Sequence, residues 1–139
     1  MSVAGVVAVL VVVLIVVVVG TVLRRRSGRL RTASAGRAGV DGWTLAGVRP
    51  GSDDRLLLLQ LSSPVCAPCR TTAGVLGGIA SDDPGVRHVE IDVAERVDVA
   101  RALNVLSTPT TVAFDRGGTE ILRVSGVPRA DELRDALAG

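Results

Sequence analysis

The sequence predicts an α/β domain of four strands and three helices, set behind one apolar N-terminal helix. Three observations carry that prediction. Short apolar, strand-like runs alternate with helical stretches from about residue 55 to the end of the chain. The only two cysteines, Cys66 and Cys69, stand three apart where the first strand gives way to a helix. Ahead of all this lies a 21-residue stretch, Val3 to Leu23, without a single charge.

That first stretch is a separate physical object. Only Gly5, Gly20 and Thr21 fall outside the strongly apolar residues and alanine. As a helix it is about 31 Å long, close to the hydrocarbon thickness of a bilayer. A secretory signal peptide would show a basic leading region, a shorter apolar core and a small-residue cleavage site. No basic side chain precedes this run. Its valines would suit a strand in water, but in lipid only a helix satisfies its own backbone. Residues 1–23 are therefore read as an uncleaved, single-pass transmembrane helix.

Residues 24–40 carry six arginines and no acid, a charge of +6, with Ser, Gly and Ala and no apolar periodicity. This composition predicts a flexible basic linker. Arg24, Arg25, Arg26, Arg29, Arg31 and Arg37 all follow the apolar run. The positive-inside rule then places the C-terminal part in the cytoplasm and the N-terminus outside. The arginines are topology signals and lipid headgroup contacts; with no aromatic or structured element beside them, they do not make a nucleic-acid site. Residues 41–139 carry ten arginines against fourteen acids, a charge of −4. The basic pI thus reflects the juxtamembrane strip and implies no anionic substrate.

The remaining 99 residues suffice for one small domain with a single core. Trp43 and Phe114 are its only aromatics, so Leu, Val, Ile and Ala must build that core. Residues 55–61 are nearly all leucine, which predicts a central strand buried on both faces. A helix is expected at about 67–80, weakened by Gly74, Gly77 and Gly78. Strand 86–91, a helix at about 94–103, and strands 110–115 and 119–125 follow. Asp115-Arg116-Gly117-Gly118 reads as the hairpin turn between the last two strands. The final helix is expected at 129–138, where Asp131 and Glu132 suit its positive end. Residues 41–52 give no firm assignment; Trp43 is read as a cap on the core or an interface anchor.

Chemistry concentrates in Cys66-Ala67-Pro68-Cys69. At this spacing two thiols occupy adjacent corners of one helical turn and can close a small disulfide. A cysteine opening a helix faces unpaired backbone N–H groups and the positive end of the helix dipole. These favour thiolate, the species that attacks disulfides. A purely structural disulfide would close too short a loop to restrain the unfolded chain much. A zinc site needs about four ligands, and beyond the two thiols the chain offers only His88, so no metal is expected unless a second chain supplies ligands.

Strand, C-x-x-C, helix, followed by this order of elements, resembles the thioredoxin family. The resemblance covers about residues 53–139 and extends beyond the cysteines. Val105-Leu106-Ser107-Thr108-Pro109-Thr110 opens the third strand, where the family places a cis proline beside the disulfide. Ile91-Asp92 closes the second strand as it does there, and Gly126 matches a family glycine ahead of the last helix. The resemblance implies a thioredoxin fold, with a four-stranded mixed sheet flanked by helices. It implies that Cys66 attacks, that Cys69 resolves, and that Pro109 and the Thr108 backbone hold a substrate chain. Four departures stand out. Val65 takes the place of a tryptophan, and Ala67-Pro68 that of Gly-Pro. Gln60 replaces a buried aspartate, and His88 aligns with that aspartate's lysine partner.

The function expected is thiol–disulfide exchange by a membrane-tethered, cytoplasm-facing protein, in the reducing direction that suits a cytosol. No cofactor beyond the cysteines is needed. The partners expected are protein disulfides, membrane lipid and a thiol or reductase electron donor. Two rivals remain open: an outward-facing relative serving extracytoplasmic disulfides or cytochrome maturation, and a non-catalytic, redox-sensing membrane adaptor. Gln60 is expected to lie beneath the motif. His88 is expected either to supply a base or to face solvent.

Overall fold

The computed structural model describes residues 3–26, 30–32 and 39–139. Arg29 and Arg37 of the basic strip lie outside the described residues. The first helix, α1, runs Val3–Arg26. Its segment Val3–Val22 has a mean hydropathy of 3.4, long and apolar enough to cross a membrane, a test that a signal sequence near an N-terminus also passes.

Among the described residues five strands, rather than the expected four, form one mixed sheet in the order β1-β5-β4-β2-β3. They are β1 (Leu30–Thr32), β2 (Leu56–Ser62), β3 (Val86–Asp92), β4 (Thr110–Asp115) and β5 (Glu120–Ser125). The extra strand β1 falls inside the segment read as a flexible linker and pairs antiparallel with β5, Leu30 opposite Val124. An edge strand leaves backbone N–H and C=O groups unpaired, and a neighbouring extended segment can satisfy them. Leu30 adds apolar contact by packing on the core.

β2 sits at the centre of the domain, parallel to β3 and antiparallel to β4. All seven of its residues are buried. Alternation sends Leu57, Leu59 and Leu61 to one face, where they meet Trp43, Val99, Val112 and Phe114. Leu56 and Leu58 point the other way, onto Leu76, Ile79, Ala113, Leu122 and Leu133. Each buried leucine contributes roughly 1.5–3 kcal/mol of hydrophobic transfer, so the leucine run holds both layers at once.

The helices cover these two faces. α3 (Ala67–Asp82) and α5 (Ala130–Ala138) lie on the Leu56/Leu58 side, anchored by Leu76, Ile79 and Leu133. α2 (Gly42–Ala46) and α4 (Val97–Ala102) cover the other side. The short α2 was not legible in the sequence, yet its ends are well specified. Asp41 caps it by accepting the Trp43 amide at 3.1 Å, and Gly47 ends it at φ 71°. Trp43 is 2% exposed and donates Nε1–H to the Asp115 carbonyl at 2.9 Å, so it belongs to the core rather than to an interface. α4 starts three residues later than expected because Asp92 draws the chain into a turn. Its carboxylate accepts the Ala94 amide and its carbonyl those of Glu95 and Arg96.

Candidate redox site

The site stands where β2 ends and α3 begins, at the C-terminal edge of the central strand. Cys66 is the N-cap of α3, with extended φ and ψ of −131° and 99°. Ala67 and Pro68 fill the first helical positions, where proline's missing N–H sacrifices no helical bond. Cys66 and Cys69 are joined by a disulfide, S–S 2.13 Å, with Cα atoms 5.2 Å apart. The two sulfurs differ in access: Cys66 is half-buried, whereas Cys69 is 2% exposed. The Cys69 amide points at the Cys66 sulfur, 3.2 Å away. In the reduced protein that donor and the helix dipole would both favour a Cys66 thiolate.

Two further segments frame the disulfide. The Thr108–Pro109 peptide is cis. Ser63, in the loop before Cys66, meets Thr108 hydroxyl to hydroxyl at 3.2 Å, which ties the two loops together. Gly126, at φ 86°, donates its amide to the Pro109 carbonyl at 2.8 Å, a backbone conformation that favours glycine. Val65 is 97% exposed and Leu106 91%, leaving apolar side chains on either loop open to a partner.

Beneath the helix start lies a buried polar chain. Gln60 is fully buried and donates Nε2 to the Cys69 carbonyl at 2.9 Å and to Ser62 Oγ at 2.8 Å. Ser62 in turn donates to Glu90 Oε1 at 2.6 Å, and that oxygen also lies 3.2 Å from Gln60 Nε2. His88 Nε2 stands 3.0 Å from Gln60 Oε1. The amide nitrogen faces only groups able to accept, so the amide oxygen faces His88, and His88 Nε2 carries a proton and donates it. Gln60 therefore lies where the sequence suggested, and half-buried His88 lies beside it rather than facing solvent.

Sequence reasoning missed Ser62 and Glu90. The signal was present in period two: Leu58, Gln60 and Ser62 share one face of β2, and in the parallel register Gln60 pairs with Glu90 and Leu58 with His88. Only the register puts the glutamate next to the glutamine. Glu90 and both cysteines line one cleft of about 410 Å³, with Ser62, Arg70 and Asp92 also on its walls.

Burial holds the His88 imidazole below the ordinary histidine pKa, and the Glu90 charge pulls it partly back. The unfolded chain therefore binds the His88 proton more readily than the folded one. Stability from this group is present above the ordinary histidine pKa, about 6.5, and is lost as pH falls through it. A His88→Asn chain should accordingly show a flatter stability profile between about pH 5 and 7 in denaturant titrations. A slope unchanged by the substitution would show that burial of His88 carries no linkage.

Comparisons with known proteins agree with this geometry. The Thioredoxin family model matches residues 49–139. Thioredoxin of Echinococcus granulosus is 35% identical over 91 residues, covering 66% of this chain and 82% of that protein. Thioredoxin H2 of Arabidopsis thaliana is 35% identical over 85 residues, or 61% of this chain. The chain spans 62% of that protein and only 16% of another relative, the NADPH-dependent thioredoxin reductase 3 of the same plant. Among solved structures, the thioredoxin of Fasciola hepatica superposes with a TM-score of 0.54 at 28% identity, covering 62% of this chain and 82% of that one. Thioredoxin NaTrxh of Nicotiana alata gives 0.55 at 29% identity, covering 61% and 72%.

Proposed function

The chain belongs to the thioredoxin family, and from that premise we propose that it is a membrane-tethered thiol–disulfide oxidoreductase that reduces protein disulfides through Cys66 and Cys69. The observation that carries the reading is the asymmetry of the pair. An accessible cysteine caps α3, and its buried partner lies one turn on, within bonding distance.

The reaction follows from that asymmetry. The Cys66 thiolate attacks one sulfur of a substrate disulfide, and the electron pair of the broken bond leaves with the other sulfur. The mixed disulfide is then attacked by Cys69. The Cys66–Cys69 bond forms, the second substrate sulfur leaves as thiolate, and two electrons have passed to the substrate. A thiol or a reductase must supply electrons for the next turn. Pro109 and the Thr108 backbone hold the substrate chain beside Cys66, with Val65 and Leu106 offering apolar contact. Pro68 stiffens the turn between the thiols.

Turnover of insulin disulfides in the presence of a dithiol reductant tests this reading. Catalysis is expected; its complete absence would leave a redox-sensing adaptor as the better description.

In this reading α1 is the tether, and the positive-inside rule applied to the arginines after it supports a cytoplasm-facing domain whose basic strip meets headgroups. Arg31, exposed on edge strand β1, belongs to that basic strip. A C-terminal alkaline-phosphatase fusion should be inactive and a fluorescent-protein fusion bright. The reverse pattern would place the domain outside, where it would serve extracytoplasmic disulfides or cytochrome maturation.

A further inference from the structure

We propose that the Glu90 carboxylate is the base that takes the proton from Cys69 as this thiol resolves the mixed disulfide. The inference rests on the oxidoreductase reading and assigns a role to a side chain on β3, the strand next to the motif strand. Cys69 is buried, and a thiol in such a place attacks poorly until something removes its proton. Gln60, below it, holds its amide nitrogen against the Cys69 carbonyl and has no basic atom to offer.

His88 is no substitute. Its Nε2–H donates to Gln60 Oε1, so a proton from Cys69 would have to pass through an amide that already donates on its other side. The donors instead run outward in one direction, His88 to Gln60, Gln60 to Ser62, and Ser62 to Glu90 Oε1. Such a chain ends naturally on an ionised carboxylate, an acceptor only.

Glu90 also has the access that Gln60 lacks. It shares the cleft with both cysteines, so a water molecule there can carry a proton from sulfur to carboxylate. Being exposed on its outer side, it can hand that proton to solvent after each turnover. The charged groups that face it come from several elements. They are Arg70 of α3, Asp92 of β3, Glu95 of the following turn and His88, two residues back on the same strand.

In the step itself Cys69 gives its proton to Glu90 while its sulfur attacks the Cys66 sulfur. The Cys66–Cys69 bond forms, the bond from Cys66 to the substrate breaks, and the substrate thiolate leaves with the electron pair.

The full-length reduced protein in detergent micelles, mixed with dithiobis(nitrobenzoate), separates the steps. Attack by Cys66 releases one nitrobenzoate thiolate, and resolution by Cys69 releases a second. Glu90→Gln should leave the first release unchanged and slow the second by about a hundredfold or more near pH 7. The gap should narrow as pH rises, because hydroxide then competes with the carboxylate for the thiol proton. Glu90→Asp should retain most of the rate, and adding Gln60→Asp to Glu90→Gln should restore it. Equal second phases at every pH, or a slowing independent of pH, would overturn the proposal. So would a larger loss in His88→Asn than in Glu90→Gln. If the unsubstituted protein releases no thiolate at all, the oxidoreductase reading fails and takes this assignment with it.

Discussion

Replacing Cys66 by serine abolishes disulfide exchange, whereas Cys69→Ser leaves the first attack intact and stops the reaction at the mixed disulfide. The difference arises from position. Cys66 caps α3 and is half-buried, so an incoming disulfide can reach it. Cys69 is 2% exposed and can reach only what is already attached to Cys66. A serine hydroxyl is almost never ionised near pH 7, so Cys66→Ser should lower insulin turnover by at least about a thousandfold. Cys69→Ser should likewise lose turnover, but should accumulate a covalent adduct visible by mass spectrometry and reversed by reductant. Alkylation of the reduced protein should label Cys66 well before Cys69. An adduct on Cys69 in the Cys66→Ser chain, or equal labelling rates, would reverse the assignment.

Phe114→Ala should cost about 3–5 kcal/mol of stability, a large share of the roughly 5–15 kcal/mol available to a domain of this kind. Phe114 is 1% exposed and is the only phenylalanine in the chain. A Cβ placed on Gly42 would stand 2.2 Å from the ring's Cγ, so the backbone of α2 lies directly on the aromatic face. Removing the ring therefore opens a void between β4 and α2 that neither backbone can close without moving.

The converse change, Gly42→Ala, should destabilise by overpacking, roughly 1–3 kcal/mol. Because the two sites share one contact, the double variant should lose less than the two single losses combined. Urea titration followed by Trp43 fluorescence reports on the same cluster, since Trp43 packs there and is the only tryptophan. A Phe114→Ala loss under about 1 kcal/mol would mean the void is filled by rearrangement.

Much of this protein is legible in the sequence alone, wherever the determining physics is local. An uncharged apolar run long enough for a bilayer, a leucine strand bounded by turn residues, and a cysteine opening a helix each depend on neighbours a few residues away. The thiol pair could be placed for the same reason, Pro109 and Gly126 only through the resemblance to the thioredoxin family, and the four main strands fell within one or two residues of expectation.

What the tertiary structure decided is long-range. Leu30–Thr32 carries no strand signal of its own, and becomes β1 only because β5 presents an open edge. Trp43 sits in a five-residue helix too short to show periodicity, and is drawn into the core by Phe114 and the Asp115 carbonyl, some seventy residues away. Glu90 looks in the sequence like any solvated acid on a strand. Only the parallel register of β2 and β3 sets it against Gln60 and Ser62 and opens it to the cleft of the two cysteines. Chain-local physics determined where the thiols stand; the pairing of distant strands decided which carboxylate meets Gln60 and Ser62 beneath them.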